Sequence, residues 1–219
     1  MPSAKLKFNL VALSQRDFVS HGPKTEKDDT NTGSSTYLKR SGVPDMQAQV
    51  IAKASDKTTL GATAGYKIIT PRIVTANNYS VNETLGSYNF NAFARYKTAK
   101  TTIMVEGIYG QNLSHFLMLG GYGVKTVDPV TDEHTYTNLV TSSVWADLSH
   151  QVSSKIRIGI FAGYVKNNGS SDEVAQVAGK YVTYGVGTNI DNVISISPRV
   201  TYAVKRVKFA VEVNNLTAA

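Results

Sequence analysis

The segment A-K-L-K-F-N-L-V-A-L-S (residues 4–14) places Ala4, Leu6, Phe8, Leu10 and Ala12 on one side of an extended chain and Lys5, Lys7 and Asn9 on the other. A repeat of two residues is the period of a β-strand, because successive side chains point to opposite faces of the pleat. The same design returns in K-I-R-I-G-I-F-A-G-Y-V (155–165), where Ile156, Ile158, Ile160, Ala162 and Tyr164 oppose Arg157, Gly159 and Gly163. One face avoids water and the other carries charge.

Working outward, the alternation predicts strands over 4–14, 45–55, 58–69, 87–97, 101–112, 139–149, 155–166, 193–203 and 206–214. The stretch 45–55 contains good helix formers, but Met46, Ala48, Val50, Ala52 and Ala54 alternate with Gln47, Gln49, Ile51 and Lys53, so it is read as a strand. The connections are in turn very short (55–57, 98–100, 150–154, 204–206) and very long (15–44, 70–86, 113–138, 167–192). The long ones are rich in Gly, Asn, Asp, Ser and Thr and contain Pro23, Pro44, Pro71 and Pro129. Loops of that length are uncommon within a compact soluble domain, whereas outer-membrane barrels join their strands by short periplasmic turns and longer extracellular loops. The expectation is therefore an all-β chain: an antiparallel up-and-down transmembrane β-barrel, in one domain spanning 1–219. With about nine strands the two ends fall on opposite sides, which predicts a partial barrel rather than a closed one of even strand number, the alternative being a strand that the alternation misses.

Composition narrows the alternatives. The 219 residues include no cysteine, so disulfides and thiolate metal sites are excluded. The net charge of +7 would suit nucleic acid, but the cations are dispersed, often one per strand, with no dense basic run, and no nucleic-acid partner is expected. The apolar runs are too short for a spanning helix, while a barrel strand needs only about 9–11 residues with one apolar face. Tyr66, Tyr109 and Tyr164 end the apolar faces of three outward-running strands, and Tyr96 and Tyr202 lie near the short-turn ends. Those are the levels at which amphipathic rings form interfacial girdles.

No catalytic constellation is present, and the chain is not read as an enzyme. His21, His115, His134 and His150 fall in predicted loops or turns without metal-ligand spacing and are read as surface histidines. Gly120–Gly123 and Gly185–Gly187 open no helix that could cradle a phosphate and are read as loop glycines. Asp128, Asp132 and Glu133 offer oxygen ligands but lack the spacing of a calcium loop. No cofactor is expected. The informative surface is the polar strand face: Lys5, Lys7, Lys53, Lys67, Arg95, Arg157, Arg199 and Lys208, with Glu106, Asp147 and Glu212, would line a lumen. Asn9, Gln47, Gln49, Thr63, Asn89, Asn91, Thr141, Ser143, Thr201 and Asn214 would hydrate it, while Leu6, Phe8, Val50, Ile103, Val105, Ile156, Ile158, Phe209 and Val211 meet lipid. Cations outnumber acids in that lining, which favours anions.

Several stretches also carry a family resemblance: P-S-A-K-L-K-F-N-L-V-A-L-S (2–14), G-V-P-D-M-Q-A-Q-V (42–50), G-Y-K-I-I-T-P-R (65–72), Y-G-Q-N-L (109–113), M-L-G-G-Y-G-V (118–124), F-A-G-Y-V-K-N-N-G (161–169), Y-G-V-G-T-N-I-D (184–191), I-S-P-R-V (196–200) and V-K-F-A-V-E-V (207–213). In these the chain resembles an outer-membrane β-barrel porin family of the Bacteroidetes type. The resemblance implies a channel in the bacterial outer membrane for passive diffusion of small hydrophilic solutes, of which this chain looks like an internal portion. It lacks the signal peptide, upstream strands and terminal aromatic residue that the resemblance leads one to expect. Outer-membrane lipid and small hydrophilic solutes are the expected partners, with homo-oligomer formation a further option. The competing expectation is a soluble or periplasmic β-barrel or sandwich binding module, whose apolar face packs inward around a ligand or a second sheet.

Overall fold

The computed structural model describes residues 5–14, 22–23, 36–177 and 179–219. Its elements are β1 (Lys5–Leu13), α1 (Thr36–Ser41), β2 (Asp45–Lys53), β3 (Thr58–Ile69), β4 (Leu85–Lys97), β5 (Thr101–Gln111), a 3-10 turn (Leu113–Phe116), β6 (Gly120–Val127), β7 (His134–Gln151), β8 (Ile156–Ser170), β9 (Gln176–Val177), β10 (Lys180–Tyr181), β11 (Thr183–Val186), β12 (Asn192–Val204), β13 (Val207–Glu212) and β14 (Asn215–Ala218). The protein is all-β. Its main sheet runs β1-β2-β3-β4-β5-β7-β8-β12-β13, every neighbour antiparallel, and these are the nine strands read from the alternation. An antiparallel meander puts successive connections at alternate ends, so the long loops share one end and the tight turns the other.

The ninth strand is longer than expected. β13 and β14 keep one register against β12, from Val204↔Val207 through Arg199↔Glu212 to Ile196↔Asn215 and Val193↔Ala218. The break between them faces Pro198. Val213 donates its N–H to the Pro198 carbonyl at 3.1 Å, but proline has no N–H to return, so one ladder bond is missing from an otherwise continuous strand. Among the described residues the sheet is open: β1 and the β13–β14 strand are its edges.

Four short strands and a helix lie within connections that the alternation left as loops. β6 pairs with the start of β7 and with β11, which overturns the reading of Gly120–Gly123 and Gly185 as loop glycines, while Gly187 does lie in a bend after β11. The reason is a close approach of two backbones. Gly121 lies opposite Gly185, with φ of +146° and +155°, and a Cβ on either would stand 2.0 Å from a carbonyl oxygen of the other strand. Glycine here makes the pairing fit, where composition alone suggests irregular chain. His115 is likewise not a surface residue: it is a buried member of the 3-10 turn. His134 opens β7, His150 lies near its end and exposed, and His21 lies outside the described residues, as does most of the loop 15–44.

The buried apolar residues gather at the long-loop end. Tyr37 and Leu38 of α1 pack with Ile69, Leu85, Tyr122, Val124 and Tyr136, and Ala175, Val182 and Tyr184 lie against them. Among the described residues the apolar face of the sheet has no such cover: Phe8 is 73 % exposed, Leu10 84 % and Val211 70 %. No described helix is long and apolar enough to cross a membrane.

Replacing Gly185 by Ala should force β6 and β11 apart at a local cost of about 1–3 kcal/mol while leaving the nine-strand ladder intact. Limited proteolysis should then cut within 171–191 faster, with unchanged far-ultraviolet circular dichroism; an unaltered cleavage rate would contradict the contact.

Candidate functional site

Cross-strand partners point to the same side of a sheet, so the register sorts the side chains. Following it from Lys5↔Lys53 and Lys7↔Ile51 through Thr59↔Arg95, Phe93↔Glu106, Met104↔Asp147, Gln151↔Arg157, Thr201↔Arg157, Arg199↔Glu212 and Ala203↔Lys208 puts all eleven charged candidates on one face, Lys67 joining through Ser87. The expected lipid-facing residues fall on the other.

The loop end of the charged face is closed by its own contacts. Lys67 is only 6 % exposed, and its Nζ donates to the Asn112 carbonyl at 2.6 Å and to His115 Nδ1 at 2.7 Å. His115 Nδ1 also lies 3.1 Å from the Asn112 carbonyl, and its Nε2 faces Asp45 Oδ2 at 3.7 Å. Asp45 Oδ1 accepts from Gln47 Nε2 at 2.7 Å. Burial, and then the Lys67 charge, push the His115 pKa from 6.5 down to about 3, so the ring is neutral at physiological pH. Thr141 Oγ1 donates to the Leu119 carbonyl at 2.7 Å and fixes the other end of the segment. Lys67 therefore anchors the 112–119 loop over the polar face.

Toward the short turns come uncharged amides, then charge. Asn9 Nδ2 donates to Gln49 Oε1 at 2.9 Å and Gln49 Nε2 to Thr63 Oγ1 at 3.2 Å, a chain across three strands. Asn91 Nδ2 donates to Glu106 Oε1. Lower still, Arg199 grips Asp147 with two bonds, Nη1 to Oδ2 at 2.6 Å and Nη2 to Oδ1 at 2.8 Å, although β8 lies between their strands. Gly159 makes the crossing: a Cβ there would sit 2.9 Å from Arg199 Nε. Arg157 donates to Gln151 Oε1 at 3.0 Å and to Ser149 Oγ at 3.2 Å. Lys5, Lys7 and Arg95 are exposed, and Lys53 reaches Asp56 in the adjoining turn, at 3.4 Å.

Residue-type reasoning missed two features of this face. Phe93, Trp145 and Phe161 stand among the polar residues, Phe93 lying over Gly61 and Phe161 over Gly163, with Trp145 and Phe161 centroids 5.9 Å apart. Their place in the polar register opposite glycines was the signal. Lys97, the last residue of β4, joins the same face through Thr102.

The candidate calcium ligands have other partners. Asp128 Oδ1 accepts the Val130 and Thr131 amides, each at 2.8 Å, and Asp132 binds Arg72 at 2.7 Å. Among the described residues no cluster of three or more His, Asp or Glu could hold a metal ion. On the opposite face, Ala48, Ala62, Ala64, Ala92 and Gly107 floor a shallow groove of about 690 Å³ between Phe8 and Leu10 on one side and Phe90 and Tyr109 on the other. The charged face, not this groove, carries the groups that could select a solute.

A histidine held neutral below its ordinary pKa favours the docked loop fully above about pH 6.5, and that advantage is lost as pH falls toward 3. At pH 5 the loop should be less firmly docked by about 2 kcal/mol. Amide exchange across 112–119, corrected for intrinsic rates, should accelerate between pH 7.5 and 5 in the native chain and lose that dependence in His115→Gln.

The chain matches no protein-family model, and comparison with curated proteins and with solved structures returns no match.

Proposed function

We propose that this chain forms wall of an outer-membrane β-barrel channel that passes small hydrophilic solutes and prefers anions. One observation carries the reading: an apolar face runs across nine hydrogen-bonded strands with no layer over it among the described residues, while the buried apolar core sits at the loop end. In water such a face would be a large aggregation surface. Against hydrocarbon it is the expected exterior of a barrel, with its polar face turned to a hydrated interior.

Tyr66, Tyr88, Phe90 and Tyr109 cluster at the loop-side rim of the apolar face, with Tyr88 5.5 Å from Phe90 and 6.4 Å from Tyr109 between ring centroids. Tyr96 and Tyr202 mark the other rim. These two levels supply the girdles that headgroups favour. A sandwich or soluble binding module would instead need a second layer on the apolar face, and the described residues provide none.

Closure sets one further condition, because unpaired backbone groups of an edge strand are not tolerated in hydrocarbon. β1 and the β13–β14 strand run in the same direction, so a seam between them would be parallel. An antiparallel seam takes an odd number of further strands.

Ile158→Arg should cost about 2–4 kcal/mol of folding free energy in lipid if the residue lies near the bilayer midplane. A substitution on the opposite face should instead change conductance. Purified protein should need detergent to stay dispersed and should conduct in a planar bilayer, with a reversal potential of the sign expected for anions. A monodisperse, detergent-free protein with unchanged stability in Ile158→Arg would favour the binding-module reading.

A further inference from the structure

We infer that anion selection resides in one sector of the charged face, a cationic ladder of Lys5, Lys7, Lys53 and Arg95 on β1, β2 and β4 near the short-turn end, with Lys97 extending it to the rim. The inference rests on the channel reading and adds which residues recognise the solute, and its class: small inorganic or carboxylate anions.

The two halves of the face differ in how their charge is balanced. From β5 to β13, Arg199 is bound at both nitrogens by Asp147 and also stands opposite Glu212, while Arg157 donates to neutral oxygens. That half holds Arg157, Arg199 and Lys208 against Glu106, Asp147 and Glu212, an equal number of each sign. From β1 to β4 the lower face holds only cations among the described residues. The nearest acid across the sheet is Glu106, diagonal to Arg95, and Asn91 occupies one of its oxygens. Asp56 meets Lys53 from the turn, but it is 93 % exposed and the pair is screened by water.

Lys5 and Lys53 are direct cross-strand partners. Like charges so placed, with Cβ atoms about 5 Å apart, repel each other and weaken the pairing. A lysine on an edge strand can serve simply to discourage aggregation, which would account for Lys5 and Lys7 alone. It does not account for Lys53 and Arg95, which lie on interior strands. An anion held between the two ammonium groups turns the repulsion into attraction, and the next cations along the ladder give it somewhere to go. Several weak stations in sequence permit passage where one tight site would trap the ion. The amide chain of Asn9, Gln49 and Thr63 lies immediately above and offers hydrogen bonds to the same anion's hydration shell.

The experiment uses the full polypeptide in a planar bilayer, with chloride as the permeant ion and inorganic phosphate as a competitor. The combined K5Q/K7Q/K53Q/R95Q variant should lower the chloride-to-potassium permeability ratio by at least about threefold and abolish any reduction of chloride current by phosphate. The charge-neutral exchange R199Q/D147N should shift the ratio far less than loss of the ladder. Single Lys5→Gln and Lys53→Gln variants should each give part of the shift, so the assignment remains testable if the fourfold variant misfolds, and K5R/K53R should retain the native ratio. If the ratio survives loss of the ladder, or follows Arg199 and Asp147, the assignment is overturned while the channel stands. If the unaltered chain conducts nothing, the channel reading falls and the ladder falls with it.

Discussion

Everything in this molecule hangs on the antiparallel hydrogen-bond ladder that runs without a crossover from β1 to β13. Each strand satisfies its neighbour's N–H and C=O groups, and its register decides which chemistry faces which way. A slip of one residue in any pair would exchange the two faces. That the same register holds Lys5 beside Lys53, Ala62 beside Ala92 and Ile158 beside Val200 explains why the eleven charged candidates all share one face. The two edges are where this constraint remains unmet, and the Lys-bearing β1 and the fully exposed β13–β14 strand present quite different surfaces to whatever completes them.

Glycines on the polar face do a second kind of work. Gly61, Gly159 and Gly163 lie beneath Phe93, Arg199 and Phe161, respectively, and let these long side chains lie flat across a neighbouring strand. The Arg199–Asp147 bridge is the clearest case, because a side chain at position 159 would block the path between two strands that are not adjacent. Charge on this half of the sheet is thus neutralised through the third dimension of the pleat. Among the described residues the lower part of the β1–β4 half offers Lys5, Lys7 and Arg95 no equivalent acid, and Lys53 meets Asp56 only in the exposed turn.

Period-two alternation made the nine long strands legible because each carries its two chemistries on opposite sides, and Met46 to Lys53 shows that this signal outweighs helix propensity. What alternation could not reveal is contact between segments distant in sequence. β6 and β11 pair through Gly121 and Gly185, whose composition says loop and whose value lies only in how closely two backbones meet. The burial of His115 depends on Lys67, forty-eight residues away, and nothing around either residue announces the other. The Arg199–Asp147 bridge was hidden for the same reason: both residues belong to the polar register, but only the intervening Gly159 shows that they touch.

Placing the apolar core in the loops follows from assigning the sheet's apolar face to the surroundings. Ile69 and Leu85, at the loop ends of β3 and β4, are the points where the charged face gives way to apolar packing, and Tyr37, Leu38, Tyr122, Val124 and Tyr136 close over them. The α1 segment is tied in by the Thr70 amide to the Tyr37 carbonyl at 2.9 Å, and the 70–84 and 112–133 connections are joined by Arg72 to Asp132. These contacts tie the loops to one another without using the outer face. On the channel reading the protein is held by three separate means: a buried cluster at one end, hydrogen bonds and ion pairs across the polar face, and contact with an apolar medium on the other. Removing that medium should weaken the third while leaving the loop cluster packed, because no side chain of the cluster belongs to the outer face.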